Sequence, residues 1–177
     1  MTAEMAYDAR RAAVLTVSDR VAGGTAADES GPLLAERLSG EGWSVVARET
    51  APDDLDAIAA VLSRLADESG AGLILTTGGT GIAPRDVTPD ATRRVADREV
   101  PGIAEALRAA SLARTPHAML SRATAAIRGR TLVVNLPGSP RAVAQTFDVL
   151  APVLGHAVAL AGGVAASPAE HRAADRP

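Results

Sequence analysis

Four short apolar runs punctuate the chain, and each passes directly into a polar or glycine-rich loop. Residues 12–17 (AAVLTV) precede Ser18-Asp19-Arg20, and residues 43–47 (WSVVA) precede Thr50-Ala51-Pro52-Asp53. Residues 73–75 (LIL), continued by Thr76, lead into Thr77-Gly78-Gly79-Thr80-Gly81, and residues 131–134 (TLVV) lead into residues 135–140 (NLPGSP). Runs of this length, rich in Val, Ile and Leu, suit strands buried on both faces, which implies parallel pairing. Between them the apolar spacing is helical: Leu33, Leu34 and Leu38; Ile58, Val61, Leu62 and Leu65; Ile103, Ala106, Leu107 and Ala110. Thr88-Pro89-Asp90 offers a capping hydroxyl, a proline at the first helical position and a first-turn carboxylate, and Ser139-Pro140 repeats the first two steps. Strands alternating with helices predict a three-layer α/β/α domain with a mostly parallel central sheet. The 177 residues are enough for one closed core. We expect a single domain over residues 11–162, with residues 1–10 and 163–177 as flexible termini.

Composition narrows the chemistry. Cysteine is absent, which excludes a disulfide scaffold, a thiolate metal site and a thiol nucleophile. Lysine is also absent, so all 18 basic residues are arginine and neither a P-loop lysine nor a lysyl intermediate is available. With a net charge of −3, and Tyr7, Trp43 and Phe147 as the only aromatic residues, the chain offers no basic footprint or stacking platform for nucleic acid. His117, His156 and His171 lack metal-ligand spacing and read as structural or surface residues. Trp43 reads as core. The N-terminal residues lack the order of a signal peptide, and residues 149–161, interrupted by Pro152 and His156, read as too short a run for a membrane span. The expectation is a cytoplasmic protein with no membrane and no nucleic-acid partner.

If the sheet is parallel, all four loops meet at its carboxyl edge, where open α/β sheets bind ligands. The side chains of Asp19, Asp53, Asp86 and Asn135 are therefore expected to line one cleft. Gly78-Gly79-Thr80-Gly81 is either a tight turn or a nest of N–H groups for a phosphate. It matches neither the P-loop pattern nor the dinucleotide fingerprint. Asp53 is a helix N-cap ahead of Leu55 or, together with Asp86, a carboxylate suited to Mg²⁺ on a triphosphate. Arg85-Asp86 alone reads equally as an exposed ion pair or turn. Asn135, followed by Leu136-Pro137-Gly138, either bonds a heterocycle or ribose or closes the fold.

Taken together, TVSDR (16–20), DESG (28–31), APDD (51–54), TTGGTGIAPRDVTPDA (76–91), REVPGIAEALR (98–108), MLSRATAAIRG (119–129) and NLPGSP (135–140) resemble the molybdopterin adenylyltransferase family. That family includes the bacterial Mog and MoaB proteins and the G domains of gephyrin and its plant counterpart. The likeness spans about residues 11–162. It implies a molybdopterin-binding-like fold and a Mg²⁺-dependent transfer of AMP from ATP to the terminal phosphate of molybdopterin, releasing pyrophosphate. It assigns Asp53 and Asp86 as the catalytic, metal-associated carboxylates. It places Thr77, Gly78, Gly79, Thr80, Gly81, Asn135, Pro137, Gly138 and Ser139 on the nucleotide side, and Ser18, Asp19, Ser111, Ser121 and Arg122 on the substrate side. It further implies a homo-oligomer, a trimer or hexamer, and a separate downstream protein that inserts molybdenum. The rival expectations are a pterin-binding carrier that has lost catalysis and an unrelated nucleotide-binding regulator, which would explain the glycine loop but not the other motifs.

Overall fold

The computed structural model describes residues 8–163. In chain order the elements are β1 (Asp8–Val17), α1 (Asp19–Ala22), α2 (Ser30–Gly40), β2 (Ser44–Ala51), α3 (Leu55–Glu68), β3 (Ala71–Thr77), α4 (Thr88–Val95), β4 (Arg98–Glu99) and α5 (Pro101–Leu112). A 3-10 turn (Pro116–Leu120), β5 (Ala125–Arg128), β6 (Thr131–Leu136) and α6 (Pro140–Ala161) complete the domain. One sheet runs in the order β2-β1-β3-β6-β5-β4. The first four strands of that order are parallel, and β5 and β4 add an antiparallel edge.

Alternate residues of the central strands feed two cores, as a pleat with period two requires. Leu73, Leu75, Leu132 and Val134 face Leu34 and Leu38 of α2, Leu107 of α5, and Phe147, Leu150, Leu154 and Val158 of α6. Ile74 and Val133 face Ile58, Leu62 and Leu65 of α3 and Ala91 and Val95 of α4. Every residue of β3 is buried, which is why Leu73-Ile74-Leu75 is a continuous apolar run rather than an alternating one; the buried Thr76 and Thr77 follow it at the carboxyl edge.

Several boundaries differ from the sequence expectation. β1 begins at Asp8, inside the segment expected to be flexible, where Asp8 pairs with Ala71 and the Arg10 guanidinium stacks 5.2 Å from the Trp43 ring. The rest of both termini, residues 1–7 and 164–177, including His171, lies outside the described residues. Trp43 precedes β2 and is buried in the core as expected. The antiparallel pair β4–β5 was not foreseen, because strands of 2 and 4 residues carry too little pattern to register.

Helix α3 is capped by Asp54, which accepts from the Ala57 N–H, not by Asp53. Thr88 lies inside α4 and does not cap it; its hydroxyl donates to the Gly78 carbonyl instead. Ser139 does cap α6, accepting from the Ala142 N–H. The run at residues 149–161 is the second half of this 22-residue helix, which has the length and apolarity to cross a membrane. Its buried face against the sheet accounts for much of that apolarity.

Candidate functional site

The carboxyl edge of the sheet is stitched together before any ligand arrives. Ser18 N–H donates to the Ala51 carbonyl (3.0 Å), Gly78 N–H to Leu136 (3.3 Å), and the Thr77 hydroxyl to Pro137 (2.7 Å). Asp19 and Asp53 exchange bonds: the Asp53 carboxylate accepts from the Asp19 N–H at 2.8 Å, and the Asp19 carboxylate accepts from the Asp53 N–H at 3.0 Å. Arg85 then donates to both oxygens of Asp19, at 2.7 and 2.9 Å. These contacts hold the Asp19 carboxyl below the ordinary aspartate range, with the Arg85 bond as the largest cause and the Asp53 N–H next. Asp19 in turn raises Arg85.

Asp53, from the β2–α3 connection, and Asp86 both pack against the glycine loop that follows β3. At Gly79, where φ is +63°, a Cβ would stand 3.2 Å from Asp53 Oδ1 and would overlap the Thr88 hydroxyl. At Gly81 a Cβ would meet Asp86 Oδ2 at 2.7 Å, so only glycine leaves that carboxylate its place. Asp86 Oδ2 also accepts from the Ala83 N–H at 2.8 Å.

Two cavities flank this loop. A polar one of about 600 Å³ is lined by Thr16, Ser18, Arg20, Asp28, Thr77, Gly78, Gly138 and Ser139. It opens between the ends of β1 and β3, where the strand order reverses and open sheets place their ligands. An apolar one of about 280 Å³ is lined by Thr80, Gly81, Leu107, Arg108, Ser111, His117, Leu120, Ser121, Asn135 and Pro137.

The expected residues therefore separate into three groups rather than one cleft. Thr77, Gly78, Gly138 and Ser139 join Ser18 at the polar cavity. Thr80, Gly81, Asn135 and Pro137 join Ser111 and Ser121 at the apolar one. Asp19, Asp53, Gly79 and Asp86 belong to the ridge between.

Two side chains are already committed to the protein. Asn135 is buried; its amide donates to the hydroxyls of Thr76 and Thr92 and accepts from the Thr124 N–H. The Arg122 guanidinium bonds Asp90 and the Asp86 carbonyl.

Sequence reasoning missed Asp28, which accepts from the Thr16 hydroxyl and the Gly31 N–H at the polar cavity, although its DESG motif was noted. It also missed Arg108, and it read His117 as a structural or surface residue although the ring lines the apolar cavity. Both lie in apolar segments, and only the packing of α5 against the 3-10 turn brings them to the cavity wall.

Among the described residues no group of three or more Asp, Glu or His is placed to hold a metal alone. Two carboxylates bordering one glycine loop nevertheless fit the way Mg²⁺ is bound, by one or two carboxylates with phosphate oxygens and water supplying the rest.

Fold and site together define an α/β domain with two cavities at the carboxyl edge of its sheet, flanking the glycine loop that Asp53 and Asp86 border. A family described as a probable molybdopterin binding domain matches residues 13–156, and the chain belongs to that family. It is 42% identical over 150 residues to a molybdopterin adenylyltransferase of Escherichia coli, covering 84% of this chain and 77% of that protein. It is 40% identical over 174 residues to gephyrin of Dictyostelium discoideum, covering 92% of this chain but only 24% of that longer protein. A crystal structure of the molybdopterin biosynthesis enzyme MoaB from Thermus thermophilus superposes with a TM-score of 0.81 at 48% identity, covering 86% of this chain and 96% of that one.

Proposed function

We propose that the chain is a molybdopterin adenylyltransferase of molybdenum cofactor biosynthesis. The observation that carries the reading is the packing of Asp53 and Asp86, from two different loops, against one glycine loop that borders both a polar and an apolar cavity. The polar cavity, at the strand-order reversal, takes ATP. The apolar one, with Arg108, Ser111, His117 and Ser121 as convergent polar groups, takes the flat pterin, so that Thr80, Gly81, Asn135 and Pro137 fall on the pterin side and Ser18 on the nucleotide side, opposite to what the family resemblance implies. The phosphates of the two substrates then meet at the ridge.

An oxygen of the terminal pterin phosphate attacks the α-phosphorus of ATP, the α–β P–O bond breaks, and pyrophosphate leaves. Little covalent chemistry falls to the protein, so its task is positioning and charge stabilisation, which needs neither lysine nor cysteine. Asp53 and Asp86 would hold Mg²⁺, which when bound neutralises charge on the phosphates. N–H groups of the glycine loop would orient the same phosphates.

We also propose that the reaction takes place in the cytoplasm. The adenylylated product would pass to a separate protein that inserts molybdenum. We further propose a homotrimer or hexamer, a reading supported by Val149, Val153 and Leu160, which expose apolar surface on the outer face of α6.

The deciding experiment measures molybdopterin-dependent pyrophosphate release by the wild type and Asp86→Asn, with thermal melts. Asp86→Asn should keep its fold to within about 0.5 kcal/mol, because an exposed turn tolerates the isosteric amide. Its rate should fall about 100-fold or more through loss of charge stabilisation. No release from the wild type given intact pterin and Mg-ATP would instead favour a pterin-binding carrier.

A further inference from the structure

Arg122 stands beside the apolar cavity without lining it, and its backbone N–H and both terminal guanidinium nitrogens are bonded to the segment from the glycine loop to the first turn of α4. Its backbone N–H donates to the Thr80 carbonyl at 2.8 Å, inside the glycine loop. One guanidinium nitrogen donates to the Asp86 carbonyl at 2.9 Å, and the other reaches both carboxylate oxygens of Asp90. Asp86 and Asp90 bracket the start of α4, where a cation is disfavoured by the helix dipole. The Asp90 carboxylate offsets that cost, and one guanidinium reaches the Asp86 carbonyl and the Asp90 carboxylate with its two terminal nitrogens at once, which a single ammonium does not do.

The neighbours of Arg122 are themselves fixed. Arg108 of α5, a wall residue of the apolar cavity, donates to the carbonyls of Ser121 (2.9 Å) and Ala123 (3.3 Å). The Thr124 N–H is held by Asn135. A continuous path therefore runs from the cavity wall, through residues 121–124, to the peptide that bears the Asp86 carboxylate.

We propose that Arg122 is a positioning residue for Asp86 rather than a contact for the pterin. Its backbone fixes the glycine loop, its side chain fixes the Asp86 peptide, and the Ala83 N–H then sets the carboxylate. The inference rests on the adenylyltransferase reading for its kinetic consequence only; the mechanical part stands without it.

The test compares wild type, Arg122→Gln, Arg122→Lys and Asp90→Asn by steady-state kinetics, by direct binding of molybdopterin, and by amide hydrogen exchange over residues 79–90. Arg122→Gln should lower kcat about 10- to 100-fold, the scale of a displacement of order 1 Å, while pterin affinity and KM stay within about threefold. Exchange over residues 79–90 should rise in the same variant. Asp90→Asn, which leaves the bond to the Asp86 carbonyl, should fall between it and the wild type, and lysine should restore only part of the loss because it cannot span both partners.

A pterin affinity weakened tenfold or more at unchanged kcat would make Arg122 a substrate contact and overturn the proposal. So would wild-type exchange and kcat in Arg122→Gln. If Arg122→Gln fails to fold, Arg122→Lys and Asp90→Asn carry the same comparison. If the wild type releases no pyrophosphate, the function reading fails and the exchange arm alone decides this one.

Discussion

Asp19 is the ridge residue whose charge the surroundings most clearly control. Because its folded-state pKa is depressed, the ion pair with Arg85 contributes stability that is fully present above the ordinary aspartate pKa. That contribution is lost only as pH falls through the lower, folded value. Arg85→Gln removes the largest cause and should move the Asp19 titration upward toward the ordinary range, leaving the Asp53 N–H to hold part of the shift. A carbon-detected NMR titration of the Asp19 carboxyl in both proteins checks this, and an unchanged midpoint would contradict it. The pair is solvent-exposed, so its weight lies in arranging the loop more than in stability.

Elements are brought into register here by buried polar contacts that no periodicity reveals. Asn135 at the end of β6 reaches Thr76 on β3, Thr92 on α4 and Thr124 ahead of β5. Asn135→Ala strands the Thr124 N–H in the interior and should cost about 2 kcal/mol, read as a lower urea midpoint at constant slope.

The same contacts show where sequence reading reached its limit. The parallel strands and long helices were legible because their apolar residues repeat with the pleat or the helical turn. Thr88 was misread as a cap because a hydroxyl before proline is the usual cap signal, whereas here the bond to the Gly78 carbonyl draws it into the loop contact. Asp53 was weighed as a cap because Asp54, its neighbour, is equally suited and wins the position. The division of the site into two cavities depends on how α5 and the 3-10 turn pack, and adjacency in space leaves no mark on spacing along the chain. The family resemblance located the motifs; which side of the ridge each one faces came from the geometry.

For the molecule as a whole, the outer face of α6 bears on assembly. Val149, Val153 and Leu160 are 38%, 48% and 55% exposed, an apolar strip that a monomer would leave in water. Light scattering at micromolar concentration should report three or six copies, and a monomer would contradict the oligomer reading.

The place of β3 at the centre of the sheet has a different consequence, for the order in which the chain is made. Leu73 pairs with Leu132, so β3 waits for 59 further residues before its second flank is covered. A nascent or truncated chain ending at Gly129 would present a strand built to be buried along its whole length, with an open hydrogen-bonding edge, a template for pairing with other chains. Such a fragment should sediment as aggregate, rather than persist as a smaller folded domain, when released from synthesis and centrifuged. Stalled synthesis is thus a greater hazard for this protein in the stretch between β3 and β6 than in its last residues.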